Sequence, residues 1–383
     1  MLIQPSWKFS KRSLGRRDLV VLLLIAATFL SVLFLYSFKF NKNITGFMVI
    51  GDYFNAPQIW TSRTLVHKGS VGYDGQFYYY MAHDPFILGH SYDHIDFPAY
   101  RYQRIIYPLT VWLLSLGEPS LIPYMMVVVN LLGILLGTYF IIRILAHYGR
   151  SPWYSLFYAA TWGFLLCLLR SLPEPLAITF VVMAVFFYLK EQTLGQVIAL
   201  SLAALTQETT LLVSLAFLFS FFWGKEWKRF IYMLFPPLAY SGWQLYLHSH
   251  FQTFSFVGGT QNFGLPFRGI MQKFISLGQG GPAVEKYAEL LFMVLVVILI
   301  LTAVYEVFKY YSPLTVTFLG YALLTSLLNQ LIWVEPWSYA RATLGLLVFN
   351  FLIFTKEGNR LNLFPMFLVP VIFILSLISM RLL

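Results

Sequence analysis

The residues best suited to chemistry lie between Gly72 and Pro108, in Gly-Tyr-Asp-Gly-Gln-Phe-Tyr-Tyr-Tyr-Met-Ala-His-Asp-Pro85 and Asp96-Phe-Pro-Ala-Tyr-Arg-Tyr-Gln-Arg-Ile-Ile-Tyr-Pro108. Five acids stand here or just before: Asp52, Asp74, Asp84, Asp93 and Asp96. A carboxylate near an acceptor hydroxyl can take its proton while a bond to carbon forms. Asp52 sits in Gly51-Asp-Tyr-Phe54, shortly beyond the first apolar run, and Asp74 in Tyr73-Asp-Gly-Gln76, before an aromatic run. The plainer role for an Asp beside Gly is a turn former or helix cap. Arg101 and Arg104 are three apart, which puts both on one face of a helix. Their forked guanidinium groups suit phosphate oxygens; snorkelling at a membrane surface is the alternative.

Further charges stand in apolar surroundings. Arg341 lies inside the run Trp337 to Phe354, where an intramembrane charge needs a partner. Glu335 is one candidate partner and a lipid-borne phosphate is the other. Glu174 sits between Pro173 and Pro175, a position that also favours a helix N-terminus. Glu208 lies in Thr206-Gln-Glu-Thr-Thr210. Tyr73, Phe77, Tyr78, Tyr79 and Tyr80 offer faces on which sugars stack, or an interfacial aromatic belt.

The elements that must position these residues are membrane helices. Hydrophobic residues make up 58% of the chain and charged residues 11%, where soluble domains carry roughly a quarter charged. Apolar runs of about 20 residues, the length that crosses the hydrocarbon layer, recur from residue 18 onwards. Backbone polar groups in lipid must pair within each segment, so the expected fold is an all-α polytopic membrane protein. The whole chain, 1–383, reads as one transmembrane domain of about ten to twelve segments. A first outer loop covers 39–104 and a second covers 251–286. The basic stretch Lys8 to Arg17 ahead of a long apolar run reads as an uncleaved first helix with a cytoplasmic N-terminus.

Basic residues at both ends of Leu194 to Trp223 predict two short helices meeting at Thr206–Thr210. Ile105 to Gly117 is too short to span and reads as interfacial or re-entrant. Single spans are expected at Trp153–Leu169, Leu176–Leu189, Phe230–His250, Tyr287–Phe308, Leu314–Trp333, Trp337–Phe354 and Leu361–Ile378. This topology collects the polar motifs on the side away from the cytoplasm.

Several function classes lack support. The net charge of +10 is spread over short loops and the N-terminus, as topogenic Lys and Arg would be, so no nucleic-acid partner is expected. The single Cys167 forms no intrachain disulfide and reads as core packing. No phosphate-cradling Gly-Lys-Ser/Thr loop, nucleophile elbow or zinc-type spacing is present. His83, His90 and His94 are loosely spaced, and no metal site is assigned. No cofactor is expected, although an acidic loop leaves a divalent ion open.

An outer loop with an early acid, the block Tyr73-Asp-Gly-Gln-Phe-Tyr-Tyr-Tyr-Met-Ala82 and a Pro-Glu-Pro motif opening a later helix resemble the GT-C superfamily. These are integral membrane glycosyltransferases that use polyprenyl-phosphate sugars. Tyr-Asp-Gly-Gln-Phe-Tyr with Tyr100-Arg-Tyr-Gln-Arg-Ile-Ile-Tyr-Pro108 looks like a bacterial group implicated in cell-surface glycopolymer formation. The Asp74 block is also similar to the Trp-Asp-x-x-Tyr block of GPI mannosyltransferases, with Tyr73 in place of Trp. The chain lacks the paired Asp-Glu of some members.

The resemblance implies a GT-C-like bundle in a bacterial inner membrane, with its site on the non-cytoplasmic side. It further implies a polyprenyl-phosphate sugar donor, a glycan or lipid-linked acceptor, and an acid of the first outer loop, Asp52 or Asp74, as base. Arg101, Arg104 and Arg341 would take the donor phosphate. Tyr73, Gln76, Tyr79, Glu174 and Glu208 would contact sugar or acceptor. A transporter or flippase of lipid-linked saccharides and a non-catalytic assembly partner are the alternative readings.

Overall fold

A computed structural model of the chain describes residues 14–279 and 283–382. Lys8, Lys11 and Arg12 of the basic N-terminal stretch, and Gly280–Pro282 of the second outer segment, lie outside the described residues. The described residues are 75% helical, an all-α polytopic membrane-type fold. Four helices are long and apolar enough to cross a bilayer: Arg16–Phe40, Ile122–His147, Val284–Lys309 and Arg360–Ser379. A fifth span is available if the pair Pro336–Ala342 and Leu344–Glu357, bent by 41°, crosses as one. The two longest, of 26 residues each, reach about 39 Å at 1.5 Å per residue. That exceeds the roughly 30 Å hydrocarbon layer.

By length and composition this is four or five spanning helices among the described residues, against the ten to twelve segments expected from apolar runs. The reason is breakage. Glu174–Leu189, Thr193–Thr206, Glu208–Trp223 and Pro313–Leu327 are apolar but short. Gln207 takes an extended backbone (φ −155°, ψ 115°) that separates the second of these from the third. The expected span Trp153–Leu169 is two short helices, Ser155–Ala159 and Trp162–Leu168. Ile105–Gly117 contains only the nine-residue helix Ile106–Leu114.

The bend at 343 has a local cause. Thr343 Oγ1 donates back to the Tyr339 carbonyl at 2.9 Å, a bond that competes with the helix ladder and bends it. Just past the bend, Gly345 lets the second helix pack closely on Tyr321, since a Cβ there would stand 2.3 Å from Cε1 of that ring.

The first outer segment folds onto the bundle. A two-residue parallel pairing, Ile50–Gly51 with Val66–His67, leads to the helix Asp74–His83, whose residues Gly75 to Ala82 are all buried. That helix approaches the Arg170 turn so closely that a Cβ on residue 75 would lie 2.2 Å from the Arg170 carbonyl oxygen. Glycine at 75 therefore sets Asp74 beside the start of the Glu174–Leu189 helix. The helix Ile122–His147 backs this arrangement, with Thr179 Oγ1 donating to the carbonyls of Gly133 and Pro175 at 2.5 and 2.8 Å. The second outer segment holds a 3-10 stretch, Ser255–Asn262, and the helix Arg268–Leu277.

Candidate functional site

Asp74 is the first residue of its helix, and its carboxylate lies between two guanidinium groups. Arg101 Nη1 stands 3.0 Å from one oxygen, and Arg341 Nη2 bonds the other. Arg101 also forks onto Asp96, with Nε and Nη2 donating at 2.7 and 2.9 Å. Its guanidinium covers the Phe77 ring at 4.7 Å. Arg341 Nη1 is 3.5 Å from Glu174 Oε1 and has no hydrogen-bond partner of its own. The Tyr73 ring lies 5.7 Å from this guanidinium, and the Tyr73 hydroxyl meets Ser338 Oγ at 3.3 Å.

A second cluster adjoins the first. Arg104 donates to Glu208 through Nε at 2.8 Å and Nη2 at 2.6 Å. Its nitrogens also reach the hydroxyls of Tyr78 and Tyr100, both at 2.9 Å. Such bidentate pairs are the stronger and more directional kind. Arg101 and Arg104 are buried, so each guanidinium would be costly to leave unpaired.

Both clusters line one cavity of about 520 Å³. Asp74, Asp96, Arg101, Arg104, Glu174, Glu208 and Arg341 form its charged floor, which holds one carboxylate in excess over the guanidinium groups. Leu324, Leu328, Ile332 and Leu344 add apolar lining. Its rim carries Phe97, Phe256, Phe263 and Leu331, each between 47% and 65% exposed. The cavity accordingly suits a molecule with a polar, hydroxyl-bearing end and an apolar remainder.

Electrostatics keep Asp74 ionised. Burial alone would raise its proton affinity, but Arg101 and then Arg341 outweigh burial and hold the carboxyl below the usual range. Tyr78 is pushed up to about 12 by burial, against the pull of Arg104. Glu335 also moves up, because burial outweighs the attraction of Arg341.

Other residues expected at a site stand elsewhere. Asp52 is exposed and absent from the cavity; its two oxygens accept the amide N–H groups of Gly69 and Ser70 at 2.9 and 3.2 Å. Those amides, the Gly69 bond first, lower its pKa. It fills the turn-forming role. Gln76 does not reach the cavity either, since it accepts from Gly51 N–H at 3.0 Å and donates to the Val71 carbonyl at 2.7 Å. Tyr79 packs edge-on against His83 inside the core. Tyr73 adjoins Arg341 without lining the cavity wall. Glu335 makes no ion pair with Arg341, whose carboxylate partners are Asp74 and Glu174.

The cavity also contains residues the sequence reading left unassigned. Asp96 stands five residues before Arg101, and Tyr100 four before Arg104, spacings that could have flagged both. Tyr240 and Gln103 join through a 2.8 Å bond between distant segments, for which no local signal exists. Among the described residues no three His, Cys, Asp or Glu side chains gather as a metal site. Compared with known proteins, the chain matches no family model, no curated protein and no solved structure.

Proposed function

We propose that this chain is a membrane glycosyltransferase of GT-C type. It moves a sugar from a polyprenyl-phosphate donor to a cell-surface glycan or lipid-linked acceptor, in a bacterial inner membrane and on the non-cytoplasmic side. One observation carries the reading: a floor of three arginines and four carboxylates and a rim of exposed Phe and Leu belong to the same cavity. A polyprenyl-phosphate sugar has that same division, with phosphate and sugar at one end and hydrocarbon at the other.

Of the two candidate bases, Asp74 is the one this proposal uses, because it lines the cavity beside the arginines. The donor phosphate takes Arg341, whose Nη1 has no hydrogen-bond partner, together with Arg101 or Arg104. Phosphate on Arg341 draws that guanidinium from Asp74 and raises the carboxylate's affinity for a proton. Asp74 then accepts the acceptor hydroxyl's proton. The acceptor oxygen bonds to the anomeric carbon from the face opposite the phosphate, and the carbon–oxygen bond to phosphate breaks. Polyprenyl phosphate leaves with the electron pair, and the configuration inverts.

Binding of unglycosylated polyprenyl phosphate to the purified protein tests the phosphate assignment. Arg341→Gln should weaken binding by about tenfold or more, the loss expected when a charge-assisted bond to a buried anion goes. Equal binding by the variant and the parent would sink the assignment.

A further inference from the structure

The second outer segment, expected from sequence to be an outer loop, carries an apolar outer surface on a firmly held backbone. Its inner side is fully engaged. Gly264 N–H donates to the Leu327 carbonyl at 2.8 Å and Phe267 N–H to the Ser326 carbonyl at 2.6 Å. Asn329 N–H donates to the Asn262 carbonyl at 2.9 Å. Within the helix Arg268–Leu277, Ile270 is buried, and Lys273 pairs with Glu289 while donating to the Val334 carbonyl at 3.2 Å.

The outer side is different in kind. Phe267, Met271 and Ile275, at four-residue spacing, are 47%, 62% and 63% exposed, and Leu265 before them is 66% exposed. Within the helix, four-residue spacing puts Met271 and Ile275 on one face; Phe267 caps the helix just ahead of them, and Arg268 and Ser276 are exposed beside them. A helix resting on a protein with its other face in water carries polar residues along that outer stripe. This one carries large apolar residues on both faces.

We infer that the segment 263–277 is a membrane-surface element, with Leu265, Phe267, Met271 and Ile275 seated in the lipid interface beside the cavity mouth. Continuity identifies lipid as the occupant. At one end the stripe runs into Phe263 and Phe256, the exposed rim of the cavity. Close by are exposed Leu331 and Val334, on the turn whose Trp333 ring touches Gly269. At the other end the chain re-enters the spanning helix Val284–Lys309, whose Tyr287, Leu290, Val294 and Leu301 are exposed along one side. Interfacial helices of this kind bury an apolar face at the boundary of headgroups and acyl chains. Hydrocarbon then reaches the rim without an aqueous gap. The inference concerns where this segment lies and stands whether or not the cavity transfers sugar.

Nitroxide labels on the full chain in lipid nanodiscs test it. Met271→Cys and Ile275→Cys are compared with Leu301→Cys as a lipid-facing reference and Lys68→Cys as an exposed reference. Cys167 is fully buried and stays in place, and the parent chain, labelled in parallel, gives the background. Labels at 271 and 275 should be relaxed by oxygen in preference to a water-soluble nickel chelate. Their oxygen-to-nickel ratio should lie between those of the two references, below Leu301→Cys deep in the spanning helix and several-fold above Lys68→Cys. A ratio matching Lys68→Cys overturns the inference, since the stripe then faces water. Exclusion of both reagents also overturns it, and spin–spin broadening in that case identifies a second copy as the cover.

Discussion

Replacing Asp74 with Asn isolates the electrostatic core of the site. The substitution keeps the shape and removes one charge from between Arg101 and Arg341. Arg101 keeps its bidentate bond to Asp96, so its loss is partial. Arg341 keeps only Glu174, at 3.5 Å, and already has one nitrogen without a hydrogen bond. Removing one partner of a buried pair costs about 3–5 kcal/mol. The surviving Asp96 bond and the acceptor oxygen of Asn place this case at about 3 kcal/mol. Loss of an acid from the first helical turn adds up to about 1 kcal/mol.

For a chain of this size the cost corresponds to a fall in unfolding midpoint on the order of 5 °C. Intrinsic tryptophan fluorescence during heating in nanodiscs reads it, with unfolding rates compared at one temperature because such unfolding is irreversible. The pH dependence gives a second check. Asp74 is held below its usual range, so its contribution is present above the unfolded value of about 4 and is lost only as pH falls through the folded value. The gap between parent and variant should be the same at pH 5 and pH 8. A midpoint shift no larger than that of Asp52→Asn, or a gap that closes between those two pH values, would refute the pairing argument.

Other substitutions separate the parts of the account. Glu208→Gln takes the carboxylate from Arg104 and leaves it the Tyr78 and Tyr100 hydroxyls and the Gln oxygen as acceptors, and by the same cost of breaking a buried pair should destabilise by about 3 kcal/mol in the same assay. Gly75→Ala forces a Cβ against the Arg170 carbonyl; it should lower the midpoint and, by displacing Asp74, weaken polyprenyl phosphate binding. Glu335 has a raised folded value, so its contribution is present below its unfolded value and lost as pH rises through the folded one. Parent stability should therefore gain on acidification across that window, and Glu335→Gln should flatten the gain in a pH series of midpoints.

The legibility of this chain in sequence divides along physical lines. Membrane character was plain because hydropathy is a sum over many residues. The number of spanning helices was not, because a break such as the one at Thr343 rests on a single back-bond; the break at Gln207 was legible only because basic residues flank its apolar run on both sides. Charges in apolar surroundings stood out by type, and Asp74, Arg101, Arg104, Glu174, Glu208 and Arg341 line one cavity. Their partners were hidden, since the Arg104–Glu208 and Asp74–Arg341 bonds join segments more than one hundred residues apart. Gln76 and Tyr79 share the helix of Asp74, yet one bonds backbone and the other fills core. A short helix buried on nearly every side has no single functional face for a pattern to reveal.

The most direct test is sugar transfer by the purified protein in detergent, where transport across a membrane has no meaning. Polyprenyl-phosphate sugars serve as donors, and lipid-linked or glycan acceptors are supplied. The account predicts transfer with inversion by the parent chain, its loss in Asp74→Asn and Arg341→Gln, and its retention in Asp52→Asn. Full activity in Asp74→Asn, or no transfer from any polyprenyl-phosphate donor by the folded parent, would contradict it.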